Sequence, residues 1–230
     1  MMGPERTEIP VTRAMRKAAK TAPRAALGKG AEDILYEIMT AAKAGFMRYE
    51  NPVVDVSTVP HAVEAAFQHV VETYASETNK TAATWRQFSD EDLNWKPHAK
   101  SASVGDILRH QILSERRFFS EFLGHAEPAA ATVLPEQMTV EALSKRFVQL
   151  AVARLPWLAS LSQEQWAERW KFFDEERERI WIFWRRVLHS AHHRTQLTVY
   201  LRLLDKPVPS TYGPTADVTW AGASPTLTVG

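Results

Sequence analysis

The residues of this 230-residue chain whose types and spacing could do chemistry are histidines. His189 and His193 stand four apart in a stretch with helical hydrophobic spacing. Four residues carry a helix about 40° past a full turn, so both imidazoles leave one face with Cβ atoms roughly 5–6 Å apart. Two ligands to one cation need that arrangement. The face says more than the spacing does. Ile182, His189, His193, Gln196, Tyr200 and Leu203 form a stripe that is apolar at its ends and polar in the middle. Buried polar groups cost free energy unless they are paired, and a bound cation would pair these. His110 interrupts a second, largely apolar helical side between Ile107 and Ser114 in the same way. His110, His189 and His193 would together form a three-imidazole site for a divalent cation. Three protein ligands leave coordination positions open to water or substrate, as a reactive site requires.

His192 competes with His193, because positions three apart are also helical neighbours. His193 is preferred because it shares a side with Gln196 and Tyr200, which could stand behind the ligands or line the open side and orient a substrate. Glu115 is the carboxylate on the His110 segment that could accept the second N–H of a bound imidazole. His61, His69, His98 and His125 lack ligand spacing and read as helix-surface or loop residues. No Ser-His-Asp arrangement can be argued. Trp181, Phe183 and Trp184 read as core or interface, and Glu175 to Arg179 as a solvated helix face.

Four helical segments must position these groups. The first spans about 60–88, followed by a capped turn at 89–93 and a loop at 95–101. The second starts at Ser103, with Asp106 three residues on as a capping partner, and ends before Gly124. A connection over 125–138 suits a crossover. The third runs from Thr139 to about Ser160, where Pro156 must kink or end it. Ser162 caps a short segment to Trp170, and the fourth helix covers about 174–204. No strand pattern or internal repeat is evident. The expected fold is therefore an all-α, four-helix bundle. An N-terminal extension over 1–55 precedes it, comprising a basic arm and an amphipathic helix at 31–48 that Asn51-Pro52 ends; the main domain covers 56–215 and an irregular tail 216–230.

Composition removes several alternatives. The absence of cysteine excludes disulfides, thiolate metal sites, iron–sulfur clusters and a cysteine nucleophile, so any transition metal must rest on histidine and carboxylate. It is compatible with a cytoplasmic protein. Nine glycines disfavour a glycine-rich phosphate loop. Residues 1–50 hold nine Lys/Arg against six Asp/Glu, and the rest nineteen against twenty-one, so the main domain offers no cationic excess for nucleic acid. The arm's acid-free stretch has the composition of an organellar transit peptide, and equally of a basic arm that packs on a partner. Ile180 to Trp184 is the most apolar run, and Arg185-Arg186 stops it far short of the about 20 residues of a membrane span.

Three segments resemble the DinB/YfiT-like metalloenzyme superfamily. Ser103-Val-Gly-Asp-Ile-Leu-Arg-His110 is similar to its second-helix opening, and His189-Ser-Ala-His-His193-Arg-Thr-Gln196 to its His-x-x-x-His-Arg-Gly-Gln motif. Leu201-Arg-Leu-Leu-Asp-Lys-Pro-Val-Pro209, running on to Tyr212-Gly213, resembles its closing segment; beyond these three, Ser89 to Pro97 also fits its usual link between the first two helices. The resemblance covers about 60–215 and departs at Thr195, where glycine is commonest. It implies an up-down-down-up bundle, a homodimer, and zinc, nickel or iron on His110, His189 and His193. It also implies a small-molecule substrate, with a low-molecular-weight thiol as co-substrate in some relatives. The tryptophan content and the apolar face at 31–48 also favour a homodimer. The leading expectation is a metal-dependent, S-transferase-like enzyme that activates a thiol. The alternatives are a metal-dependent hydrolase and a non-catalytic stress or metal-binding protein.

Overall fold

A computed structural model describes residues 53–217. The chain divides at Glu50/Asn51, and the described residues all belong to the unit Asn51–Gly230. The arm, the helix expected at 31–48 and the last thirteen residues of the tail lie outside the described residues.

Helix α1 spans Gln68–Trp85 and buries Val70, Val71, Tyr74 and Trp85 on one side. It starts later than the apolar spacing suggests. The Val63 N–H is taken by the Ala159 carbonyl, and the Gln68 side chain accepts from the Ala62 N–H at 2.7 Å. These bonds hold residues 60–64 outside a helix. A short 3-10 helix over Asp90–Asn94 follows, its start held by the Asp92 carboxylate, which accepts from the Ser89 N–H at 2.7 Å and the Ser89 hydroxyl at 2.9 Å. Helix α2, Val104–Arg117, carries the Ser103/Asp106 capping box and continues as a π-helical turn, Phe118–Phe122. Gly124 ends it at φ 80°, and a Cβ there would stand 2.5 Å from the Trp170 ring. Glycine is therefore required twice over, by conformation and by space.

Helix α3, Val140–Ser160, starts on a Thr139 cap and runs through Pro156 instead of ending there. Val152 and Pro156 are both exposed, so water can satisfy the carbonyl that proline leaves without a donor. Ser162 caps the short α4, Gln163–Ala167.

The expectation of an all-α chain needs correction here. Arg169–Phe172 (β1) and Glu175–Glu178 (β2) pair antiparallel, with Phe172 opposite Glu175 across a two-residue turn. The last long helix, α5, begins only at Arg179 and runs to Leu203. The chain is mostly helical, with one hairpin. Two physical reasons explain the miss. The turn places Phe173 at φ 55° without a glycine, and the acidic run of β2 has no apolar alternation. What holds the hairpin is tertiary contact: Phe172 is buried against Phe118 and Phe122, and Arg169 pairs with Glu178 at 2.7 Å.

Helix α1 packs on α3 and α5, and α2 packs on α5 and α3. The apolar core has two parts. One gathers Val71, Tyr74, Phe119, Leu155, Trp166 and Phe183; the other gathers Trp85, Ile107, Ile112, Phe147, Leu197 and Tyr200. Along α2 and α5 a buried polar layer separates them, with Gln111 and Glu115 on α2 and Ser190 and Arg194 on α5. The histidines sit at this level. Among the described residues no helix is long and apolar enough to cross a membrane.

Candidate metal centre

Helix α2 supplies His110 and α5 supplies His189 and His193, the latter two from one face. Each offers a ring nitrogen, and these nitrogens lie within 4.8 Å of one another. His110 Nε2 and His189 Nε2 are 3.4 Å apart. Two ligands about 2.0–2.1 Å from a tetrahedral ion stand roughly 3.3 Å apart, so this pair needs little adjustment to share a cation. The His193 ring centroid lies 4.6 Å from that of His110 and 4.7 Å from that of His189. The donor set fits a borderline-soft divalent ion, and the three side chains could hold one. His110 is exposed while His189 and His193 are half-buried, so the cluster is reachable from solvent. The ring of Phe118 lies 5.9 Å from that of His189.

Burial, and then the nearby Arg186 guanidinium, push His110 below its ordinary pKa. The same two causes, with the other imidazoles, bring His189 down to about 3. Burial lowers His193 too, against an opposing hydrogen bond to the Gln196 amide oxygen. All three rings are therefore neutral at pH 7, the form in which imidazole binds a metal. This has a thermodynamic consequence. Below about pH 6.5 the unfolded chain takes up protons that the folded, metal-free chain refuses, so stability falls with falling pH. Carboxylates held low by partners, such as Glu77 and Glu127, add their loss only below the ordinary carboxylate value of 4.5. Metal-free protein should thus lose melting temperature between pH 6.5 and 5, and His189→Gln should flatten that window. Thermal melts across the range check this; an unchanged slope in the variant would contradict it.

The partners of the imidazoles differ from one another. His193 Nδ1 faces Gln196 Oε1 at 3.2 Å, and Gln196 Nε2 donates to the Tyr200 hydroxyl at 3.0 Å. Tyr200 is buried and donates to the Ala102 carbonyl, so it does not line an open side. Gln196 does line a surface concavity, together with Ala191, His192, Thr195 and Val199. His192 is exposed, its ring 5.0 Å from that of His193, and it lies outside the three-nitrogen group. His189 Nδ1 instead faces Arg186 Nη1 at 3.4 Å.

Glu115, expected beside an imidazole, is engaged elsewhere. It accepts from the Tyr74 hydroxyl at 2.6 Å and pairs with Arg186 at 3.0 Å and Arg154 at 3.4 Å. Its influence on the histidines runs through Arg186. Arg154 in turn grips Glu127 through two bonds of 2.8 and 2.7 Å, and Glu127 meets His125 Nδ1 at 2.8 Å. His125 is thus part of a buried charge network, not an ordinary loop residue. On the other side of α5, Arg194 binds Glu77 at 2.6 Å and also contacts the Tyr212 hydroxyl, which ties the closing segment to α1. Arg186, Arg194 and Glu115 each interrupt an apolar helical face in the sequence, and that was the available signal for them.

The DinB family profile matches residues 61–221. Two solved structures have a similar fold. A DinB-like protein from Bacillus cereus is 18% identical with a TM-score of 0.53, covering 62% of this chain and 95% of that one. A DinB-like protein from Bacillus subtilis is 22% identical with a TM-score of 0.51, covering 62% and 96%. No curated protein matches the sequence.

Proposed function

The chain belongs to the DinB family, and from that premise we propose that it is a divalent-metal-dependent enzyme whose ligands are His110, His189 and His193. One observation carries the reading: two separate helices bring imidazole nitrogens to 3.4 Å in a solvent-reachable cluster. Three imidazole nitrogens gathered within 4.8 Å from two helices offer one cation three ligands and leave further positions open. We read the four long helices as the up-down-down-up bundle of the family. Zinc, nickel or iron suits the donor set.

A cation held there supplies Lewis acidity, lowering the pKa of a coordinated thiol or water so that it attacks at neutral pH. The protein's own groups do the rest. Phe118 shields one side of His189. The reading we favour is thiol transfer, with a low-molecular-weight thiol as co-substrate; a hydrolase is the same site with water as nucleophile. We also propose a homodimer. Trp181, Leu188, Val199 and Leu203 are exposed along one line of α5, an apolar stripe that a second copy would cover.

The test loads the full-length protein with zinc, nickel or iron(II) and screens small thiols against electrophilic acceptors, with His110→Ala as control. Metal-dependent thiol consumption that fails in the control is the expected result. Turnover of esters or amides without thiol would favour the hydrolase. Identical behaviour of loaded and metal-free protein across both screens would overturn the enzymatic reading.

A further inference from the structure

We propose that Gln196 and Tyr200 form a one-way hydrogen-bond relay that fixes which nitrogen of His193 faces the cation. The proposal rests on His193 being a ligand, and it assigns both residues as positioning residues.

The direction of the relay follows from its last member. The Ala102 backbone carbonyl can only accept, so the Tyr200 hydroxyl, 3.1 Å away, must donate to it. With its proton committed, the Tyr200 oxygen receives from Gln196 at 3.0 Å, which makes the nearer Gln196 atom the amide nitrogen. The amide oxygen then faces His193 Nδ1 at 3.2 Å. An oxygen there requires a proton on Nδ1, and a neutral ring with Nδ1–H carries its free lone pair on Nε2. One backbone carbonyl thus orients three side chains.

The surroundings hold the relay in place. Tyr200 is 4% exposed and packs edge-on against Trp95, with ring centroids 5.4 Å apart. Positions 193, 196 and 200 share one helical face, so no backbone distortion is needed. Ala102 directly precedes Ser103, the cap of α2, and α2 carries His110. The Tyr200–Ala102 bond therefore ties the helix bearing two of the histidines to the start of the helix bearing the third. His189 has the opposite kind of partner: its Nδ1 faces Arg186, which can only donate, so that contact puts no proton on Nδ1.

The test uses full-length protein and three variants, Gln196→Leu, Gln196→Glu and Tyr200→Phe. Nitrogen-15 NMR of metal-free protein near pH 8 reports the tautomer of His193. Competition with a chromophoric chelator reports zinc affinity. Wild type should show His193 protonated on Nδ1. Gln196→Leu should shift it toward the Nε2–H form and weaken zinc on the order of 10- to 100-fold, the usual effect of losing such a partner. Gln196→Glu keeps an acceptor and should stay within a few-fold of wild type. Tyr200→Phe should fall between, since the amide is then free to turn. A purely structural role would lower the melting temperature of these variants and leave the tautomer unchanged. Wild-type His193 protonated on Nε2, or a Gln196→Leu protein with unchanged tautomer and affinity, overturns the relay. If wild type shows the Nδ1–H form yet binds no zinc, the ligand reading fails, and the relay's metal role with it.

Discussion

Replacing His193 by alanine should abolish stoichiometric metal binding, while His192→Ala should retain most of it. The two residues are adjacent in sequence, yet only His193 has a ring nitrogen within the three-histidine group. His192 is exposed on the outer side of α5 and lines the neighbouring concavity. Losing one of three imidazoles removes a ligand that the remaining two cannot replace, and Glu115 is too fully engaged to substitute. Metal analysis of the two purified variants decides the matter. Retention of metal by His193→Ala together with its loss from His192→Ala would transfer the ligand role.

The largest effect on stability should come from Glu115. Its side chain is 3% exposed and joins Arg186 at 3.0 Å with Arg154 at 3.4 Å, while accepting from Tyr74 at 2.6 Å. Arg154 keeps Glu127 when Glu115 is lost, but Arg186 keeps no carboxylate partner, with a long contact to the Gln111 carbonyl, its approach to His189 and the Phe118 ring remaining. A buried guanidinium without its counter-charge is costly, and breaking such a pair from one side typically costs about 3–5 kcal/mol. Glu115→Ala should therefore destabilise metal-free protein by about that much in chemical denaturation. Removing both charges, as in Glu115→Leu with Arg186→Met, should recover much of the loss, because a well-packed apolar pair replaces a buried ionic one at little cost. A single variant within 1 kcal/mol of wild type, by the usual surface-substitution range, would contradict this account.

These two predictions draw on parts of the molecule that were unequally legible in the sequence. The capped turn at Ser89 and the capping box at Ser103 follow local chemistry, and they form as the sequence implies. Helical spacing located the long helices and put His189 and His193 on one face, because a period of 3.6 needs no tertiary information. The hairpin before α5 was hidden for the opposite reason. Phe172 becomes a strand residue through contact with Phe118 and Phe122, which lie far away in the chain. The buried ion network was hidden likewise. Arg154 and Glu127 look like solvated charges until α2, α3 and the connection after α2 converge. Gln196 and Tyr200 were placed on the correct face, but their partners depend on where Ala102 comes to rest.

The central claim is that three histidines from two helices hold one divalent cation. Its most direct test is elemental analysis combined with X-ray absorption spectroscopy on full-length protein purified without a histidine tag and dialysed against zinc. The account predicts one zinc per chain, a first shell containing three imidazole nitrogens at about 2.0–2.1 Å, and loss of that shell in His110→Ala. Zinc well below one per chain, or a shell unchanged when His110 is removed, would contradict it.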